Sequence, residues 1–374
     1  MLGAVIDILP LIFFRFYPIV AAGLTDLKTG TGAGLPATLA AFGVSFYVFQ
    51  AVSYLADIYL EILEPEPHLG YFALYISFFP KIMQGPIERG KDLIPQLHQT
   101  DGFKYENARA GAIQFAYGLF KKVVVADRLA EMVNPIYSDV SGSSGVALLF
   151  ATFVYAFQIY YDFSGYTDMA LGIARIFNIR LTNNFNLPYL STSISEFWRR
   201  WHISFSRWIM DYLFKPIQLS LRKWGKWGVV TALMITFFLS GLWHGATWGF
   251  VVWGLLHGIY LSVSMLYAPT RKKIYKKFKL EKSWLAKVWQ IFLTFNLVVF
   301  AWIFFRANSI MDALAVVNKI LPWHLWSSAE QICLQTGLRQ MIKAILRGGN
   351  PLGVWHNLSQ SVCGTRYGVM VSNI

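Results

Sequence analysis

Between Lys226 and Arg271 the chain runs for 44 residues without an Asp, Glu, Lys or Arg. A water-soluble fold has no place for such a run, because its helices and strands must show a polar face at every turn. About 20 apolar residues cross a bilayer, so this stretch is long enough for two crossings. It also holds two histidines, His244 and His257. An ionisable side chain at membrane depth is costly and marks a candidate functional site. His244 lies in Gly-Leu-Trp-His-Gly at the middle of the run, where two crossings would have to turn.

The rest of the composition agrees. Only 14% of the 374 residues are charged, 55% are hydrophobic, and the mean hydropathy is +0.44. Soluble domains carry roughly 25% charged residues. The expectation is an all-α, polytopic transmembrane bundle with re-entrant or broken helices around a central tunnel. The net charge of +13 does not point to nucleic acid, because the cations cluster beside apolar runs. The clusters are Lys121-Lys122, Arg199-Arg200, Arg222-Lys223-Lys226, and Arg271-Lys272-Lys273 with Lys276, Lys277, Lys279 and Lys282. That pattern is expected of cytoplasmic loops. Two cysteines, Cys333 and Cys363, make no disulfide framework, and no Cys/His spacing suits a metal. The first residues, with Asp7 and Arg15, do not resemble a cleavable signal peptide.

Apolar segments fall near 2–24, 35–60, 69–87, 108–126, 145–161, 163–179, 203–220, 227–243, 246–268 and 284–305. Roughly eight to ten spans follow from the 20-residue criterion. Segments interrupted by charge or proline, such as 69–87 and 108–126, are expected to be re-entrant or packed inside protein. Basic loops at 222–226 and 271–282 place the reversal at 242–247 on the far side or deep in the membrane.

Residues 194–211 read ISEFWRRWHISFSRWIMD and join Glu196, Arg199, Arg200, Trp201 and His202. Two readings stand: a polar element lining a substrate path, or an interfacial anchor of Trp and Arg. Asp162 and Asp168, in YYDFSGYTD, would orient a histidine, or pair with an arginine such as Arg175 or Arg180 at a helix break. His244 and His257 are 13 residues apart. On one helix that is about 20 Å of rise and about 220° of rotation. They cannot share a site unless the helix breaks, and His257 reads as a hydrogen-bonded core residue. His68, His98, His324 and His356 read as solvated. There is no GxSxG and no HExxH motif.

Together and in order, GVSFYVFQAVSYLADIY (43–59), FFPKIMQGPIERGKDLIPQL (78–97), the stretch 160–214 with DFSGYTDMA and FWRRWHIS, GLWHGATWGFVVWGLLHG (241–258) and VFAWIFFRA (299–307) resemble the membrane-bound O-acyltransferase family. The resemblance is to its bacterial branch, whose members O-acetylate alginate or D-alanylate teichoic acids. It implies transfer of an acyl group, here expected to be acetyl, from a thioester donor to a hydroxyl of an extracytoplasmic polysaccharide or envelope polymer. It implies His244 as the invariant histidine and His202 as a second characteristic one, with no metal. No bound cofactor is expected, and the acyl thioester, acetyl-CoA or an acyl carrier, is expected as a co-substrate. Arg199, Arg200, Trp201, Trp243, Asp162 and Asp168 are expected to bind substrate or support the polar core.

The expected location is the bacterial inner membrane, with an extracytoplasmic acyl-transfer protein as partner. Members of the family carry further membrane segments on both sides. The chain is therefore expected to be a truncated form, with a core at 1–320 and an atypical tail at 321–374. The competing classes are a transporter, weakened by the lack of an inverted repeat, and an inactive scaffold that would tolerate loss of His244.

Overall fold

The computed structural model describes residues 44–99, 102–245 and 247–321. The segment at 2–24 and the tail from 322 onward lie outside the described residues. The helices are α1 (Val44–Tyr59), α2 (Leu69–Ser77), α3 (Gly90–Leu97), α4 (Tyr105–Phe120), α5 (Asp127–Ser138), α6 (Gly145–Ile176), α7 (Ile194–Arg200), α8 (Ile203–Ile209), α9 (Lys215–Ser220), α10 (Lys226–His244), α11 (Trp248–Lys277), α12 (Trp284–Arg306) and α13 (Ile310–Ile320). Among the described residues the only extended pairing is an isolated bridge between Phe185 and Trp201. The expected all-α membrane architecture is the one found.

Four of these helices, α6, α10, α11 and α12, are long and apolar enough to cross a membrane. Several start where a serine can cap them. Ser144, Ser193, Ser283 and Ser309 each accept a hydrogen bond from the backbone N–H three residues on. Such a cap is worth about 1 kcal/mol.

The structure corrects three expectations. Segments 145–161 and 163–179 are one 32-residue helix, α6. Asp162 does not break it, because Lys122 pairs with Asp162 and Lys121 pairs with Asp168 at 2.6 Å. Those two lysines are therefore not in a loop. They open a π-helical stretch, Lys121–Ala126, that joins α4 to α5 without interruption. Segment 203–220 is not a span either. It divides into α8, a π-helical stretch Met210–Phe214 and α9. Asp211 within it pairs with Lys215 at 2.7 Å and Arg89 at 3.1 Å.

The long helices pack through glycines. A Cβ at Gly118 would stand 2.5 Å from the Gly165 carbonyl oxygen, and one at Gly111 would stand 2.5 Å from that of Gly172. Hence α4 and α6 run antiparallel at near backbone contact, the small-residue packing of membrane helices. The α10–α11 hairpin closes the same way, with Gly254 against the Phe237 carbonyl. Around this frame Trp302 and Val298 of α12, Phe197 and Trp198 of α7, Trp253 of α11 and Leu148 of α6 form the main core.

Candidate active site

The hairpin bends where the sequence placed it. His244 is the last residue of α10, Gly245 is its C-cap, and α11 begins at Trp248. A Cβ at Gly245 would run into the Phe250 ring, so any larger residue at this turn would have to displace that ring. Aromatic rings pack around the half-buried His244 ring. Trp243 lies 4.5 Å away, Trp253 4.9 Å, Phe305 5.0 Å, Phe250 6.2 Å and Phe205 6.3 Å, between centroids.

His202 reaches the same place from the other side. It sits between α7 and α8, as N-cap of α8, with φ 44° and ψ 55°. A non-glycine residue in this left-handed region costs roughly 1–2 kcal/mol. The neighbouring backbone holds it there. Buried Asn184 accepts from Ile203 N–H through its carbonyl at 3.0 Å and from Ser204 N–H through Oδ1 at 3.0 Å. Ile87 N–H donates to Ser204 Oγ at 3.0 Å. The imidazole lies 4.9 Å from Phe205, 4.6 Å from Phe163 and 6.3 Å from Phe46. Phe205 thus touches both histidines, 42 residues apart in sequence (244 − 202).

His202 is buried, yet neither Nδ1 nor Nε2 has a hydrogen-bond partner among the described residues. An unpaired buried polar atom costs about 1–3 kcal/mol, so the ring is set to meet a polar group from elsewhere. Burial pushes its pKa well below the usual histidine range, and nearby His244 acts in the same direction. His202 is therefore neutral at pH 7, with one nitrogen donating and one accepting. Trp243 Nε1 is likewise buried without a partner among the described residues. Its ring packs on Phe205 at 4.5 Å and on Phe49 of α1 at 5.3 Å.

The other expected site residues lie elsewhere. Trp201 is buried in the main core against Phe197, Phe185 and Trp302. Arg200 pairs with Glu196 at 2.7 Å, and exposed Arg199 donates to Ser195 Oγ at 3.1 Å. Asp162 and Asp168 bind Lys122 and Lys121, not Arg175 or Arg180. His257 is fully buried, and its Nδ1 accepts from Trp198 Nε1 at 3.3 Å, the core role expected of it. His68 and His98 are not simply solvated: His68 Nδ1 caps α2, and His98 pairs with Glu66 at 2.8 Å.

Sequence reasoning missed the aromatic walls, Phe46 and Phe49 of α1, Phe205 of α8 and Phe305 of α12. The aromatic-dense motifs 43–59 and 299–307 were the available signal. It also missed Lys81, fully buried in a 3-10 turn (Phe79–Lys81), which donates to Gln50 Oε1 of α1 and to the Tyr75 carbonyl.

Residues 61–309 match the family model of the membrane-bound O-acyltransferases. The chain is 36% identical over 304 residues to the peptidoglycan O-acetyltransferase of Helicobacter pylori, covering 74% of this chain and 56% of that protein. It is 34% identical over 337 residues to the probable alginate O-acetylase of Pseudomonas aeruginosa, covering 88% and 61%. A teichoic acid D-alanyltransferase of Bacillus subtilis is 27% identical over 316 residues, covering 82% and 77%. The chain thus spans a little over half the length of the first two. The described hairpin and both histidines fall inside the matched region, and the chain is a multi-pass membrane protein that belongs to the membrane-bound O-acyltransferase family.

Proposed function

We propose that this chain transfers an acyl group, acetyl in the first instance, from a thioester donor to a hydroxyl of an extracytoplasmic polysaccharide or cell-envelope polymer. The observation that carries the reading is the meeting of two histidines on Phe205, one at the tip of a membrane hairpin and one buried with both nitrogens unsatisfied. Relatives named for O-acetylation of peptidoglycan and alginate support acetyl over D-alanyl, at higher identity than the D-alanyltransferases. The membrane is taken to be the bacterial inner membrane, with a thioester of coenzyme A or of a carrier protein as co-substrate.

His244 serves as general base. As the acceptor oxygen attacks the thioester carbonyl, its proton passes to the imidazole. The new C–O bond forms, the C–S bond breaks, and the proton returns to the departing thiolate. No covalent enzyme intermediate is needed. An imidazole titrates near neutrality and suits both transfers. His202, neutral through burial, donates its N–H to the carbonyl oxygen as negative charge develops there. Arg199, exposed on α7, is the better placed of the two arginines to meet donor phosphates, because Arg200 is held by Glu196.

Positioned base catalysis is typically worth 10²–10⁴-fold. A His244→Ala variant should insert normally and lose acyl transfer by that factor, read as labelled acetyl on the isolated envelope polymer. Undiminished transfer by a correctly inserted variant would exclude His244 as base. Transport of substrate without acylated product would favour a transporter instead.

A further inference from the structure

We infer that the hairpin joining α11 to α12 is a binding site for anionic phospholipid headgroups. Residues 271–287 carry eight cations and one carboxylate, Glu281. All seven lysines among them are exposed. None of the eight takes part in an ion pair among the described residues. Elsewhere Arg89, Lys121, Lys122, Arg128, Arg200 and Lys215 each find a carboxylate. The charge here is therefore unneutralised, at the ends of two helices long and apolar enough to span a membrane.

Aromatic side chains occupy the same hairpin. Trp284 is 70% exposed, and Phe278 and Trp289 are exposed beside it. Such rings are normal at the headgroup level of a bilayer and unfavourable in bulk water. Between the helices lies a cavity of about 390 Å³ lined by Thr192, Tyr275, Glu281, Lys282, Trp284 and Lys287. Gln290 Nε2 of α12 donates to Tyr275 Oη of α11 at 3.0 Å, which holds the walls together. Two lysines against one carboxylate in a headgroup-sized recess, with the Trp284 indole in its lining and six more cations on the same hairpin, suit a phosphodiester whose acyl chains run down the apolar helices. Zwitterionic headgroups bring no net charge to balance the lysines. A soluble acidic partner would leave the exposed rings at the bilayer surface unexplained.

The test uses the full chain in phosphatidylcholine nanodiscs doped with equal amounts of phosphatidylglycerol and labelled phosphatidylcholine, with retained lipid counted by native mass spectrometry. Wild type should retain phosphatidylglycerol at least about tenfold over phosphatidylcholine. A cation near an anionic membrane surface contributes about fivefold, about 1 kcal/mol. A Lys282→Gln/Lys287→Gln variant should therefore lose at least about tenfold of the preference. It leaves the 271–279 cluster to fix orientation. Raising salt to 0.5 M should weaken the preference in wild type. Equal retention of the two lipids would overturn the inference, as would an unchanged preference in the double variant. So would binding of poly-L-glutamate to the hairpin without lipid preference, which would mark an acidic polypeptide as the ligand.

Discussion

Asp168 separates a structural role from a substrate role most cleanly. Its carboxylate lies 2.6 Å from Lys121 Nζ, with the two side chains 17% and 12% exposed. It projects from the face of α6 that meets α4 between Gly165 and Gly172, where the helices are closest. Removing one partner from a buried ion pair strands the other charge and costs about 3–5 kcal/mol. The residual exposure places Asp168→Leu near the lower bound, about 3 kcal/mol. With about 2 °C per kcal/mol for a chain of this size, the midpoint of heat inactivation should fall by about 6 °C. Asp162→Leu is the internal control. It and Lys122 are 42% and 40% exposed, and Lys122 keeps Asp127 at 2.8 Å. That loss should stay within about 1 kcal/mol. The Lys121→Met/Asp168→Leu double variant should regain most of the stability, since a well-packed apolar pair often replaces a buried ion pair without loss. The assay heats detergent-solubilised protein for a fixed time and follows the monodisperse fraction by gel filtration, because unfolding of such proteins is a rate process. If Asp168→Leu melted with wild type yet abolished acyl transfer, the carboxylate would belong to the reaction and the structural assignment would fall.

Two further outcomes follow from buried bases. Burial lowers the Lys81 pKa to about 7, so above that pH the folded protein carries a neutral amine while the unfolded chain still binds a proton. Stability should rise from pH 7 toward 10, a slope that Lys81→Met removes; Lys81→Arg, which cannot shed its proton, should cost about 3 kcal/mol or more, and a tolerated Arg would refute the buried-amine account. His202 is likewise depressed, so its contribution is present above about pH 6.5 and lost as pH falls below it. Wild type should therefore lose more melting temperature than His202→Gln between pH 7 and pH 5.5, and equal losses would refute a buried neutral His202.

The hairpin was legible because nothing but a bilayer tolerates 44 uncharged residues, and because Gly241, Gly245 and Gly249 mark close packing and a turn. His244 followed from its place at that turn. The helix α6 was not legible as one element, because Asp162 and Asp168 read as interruptions until their lysines are known to lie on the facing helix. Hydropathy scores a residue alone, whereas an ion pair is a property of two segments. For the same reason Lys121 and Lys122 were misread as a loop. His202 could be named from its motif, but its contact with His244 through Phe205 depends on the left-handed turn at residue 202, an uncommon backbone state that nothing in the local sequence pattern announces.

That left-handed backbone sets stability against function at one position. Glycine would relieve the backbone cost of roughly 1–2 kcal/mol and remove the two unsatisfied ring nitrogens besides, and asparagine would relieve part of the backbone cost. A library selected for heat resistance alone would drift toward Asn or Gly at residue 202 and converge on robust, chemically silent proteins. Persistence of histidine there under such selection with activity left unscored would mean that the fold itself, rather than the reaction, needs the ring.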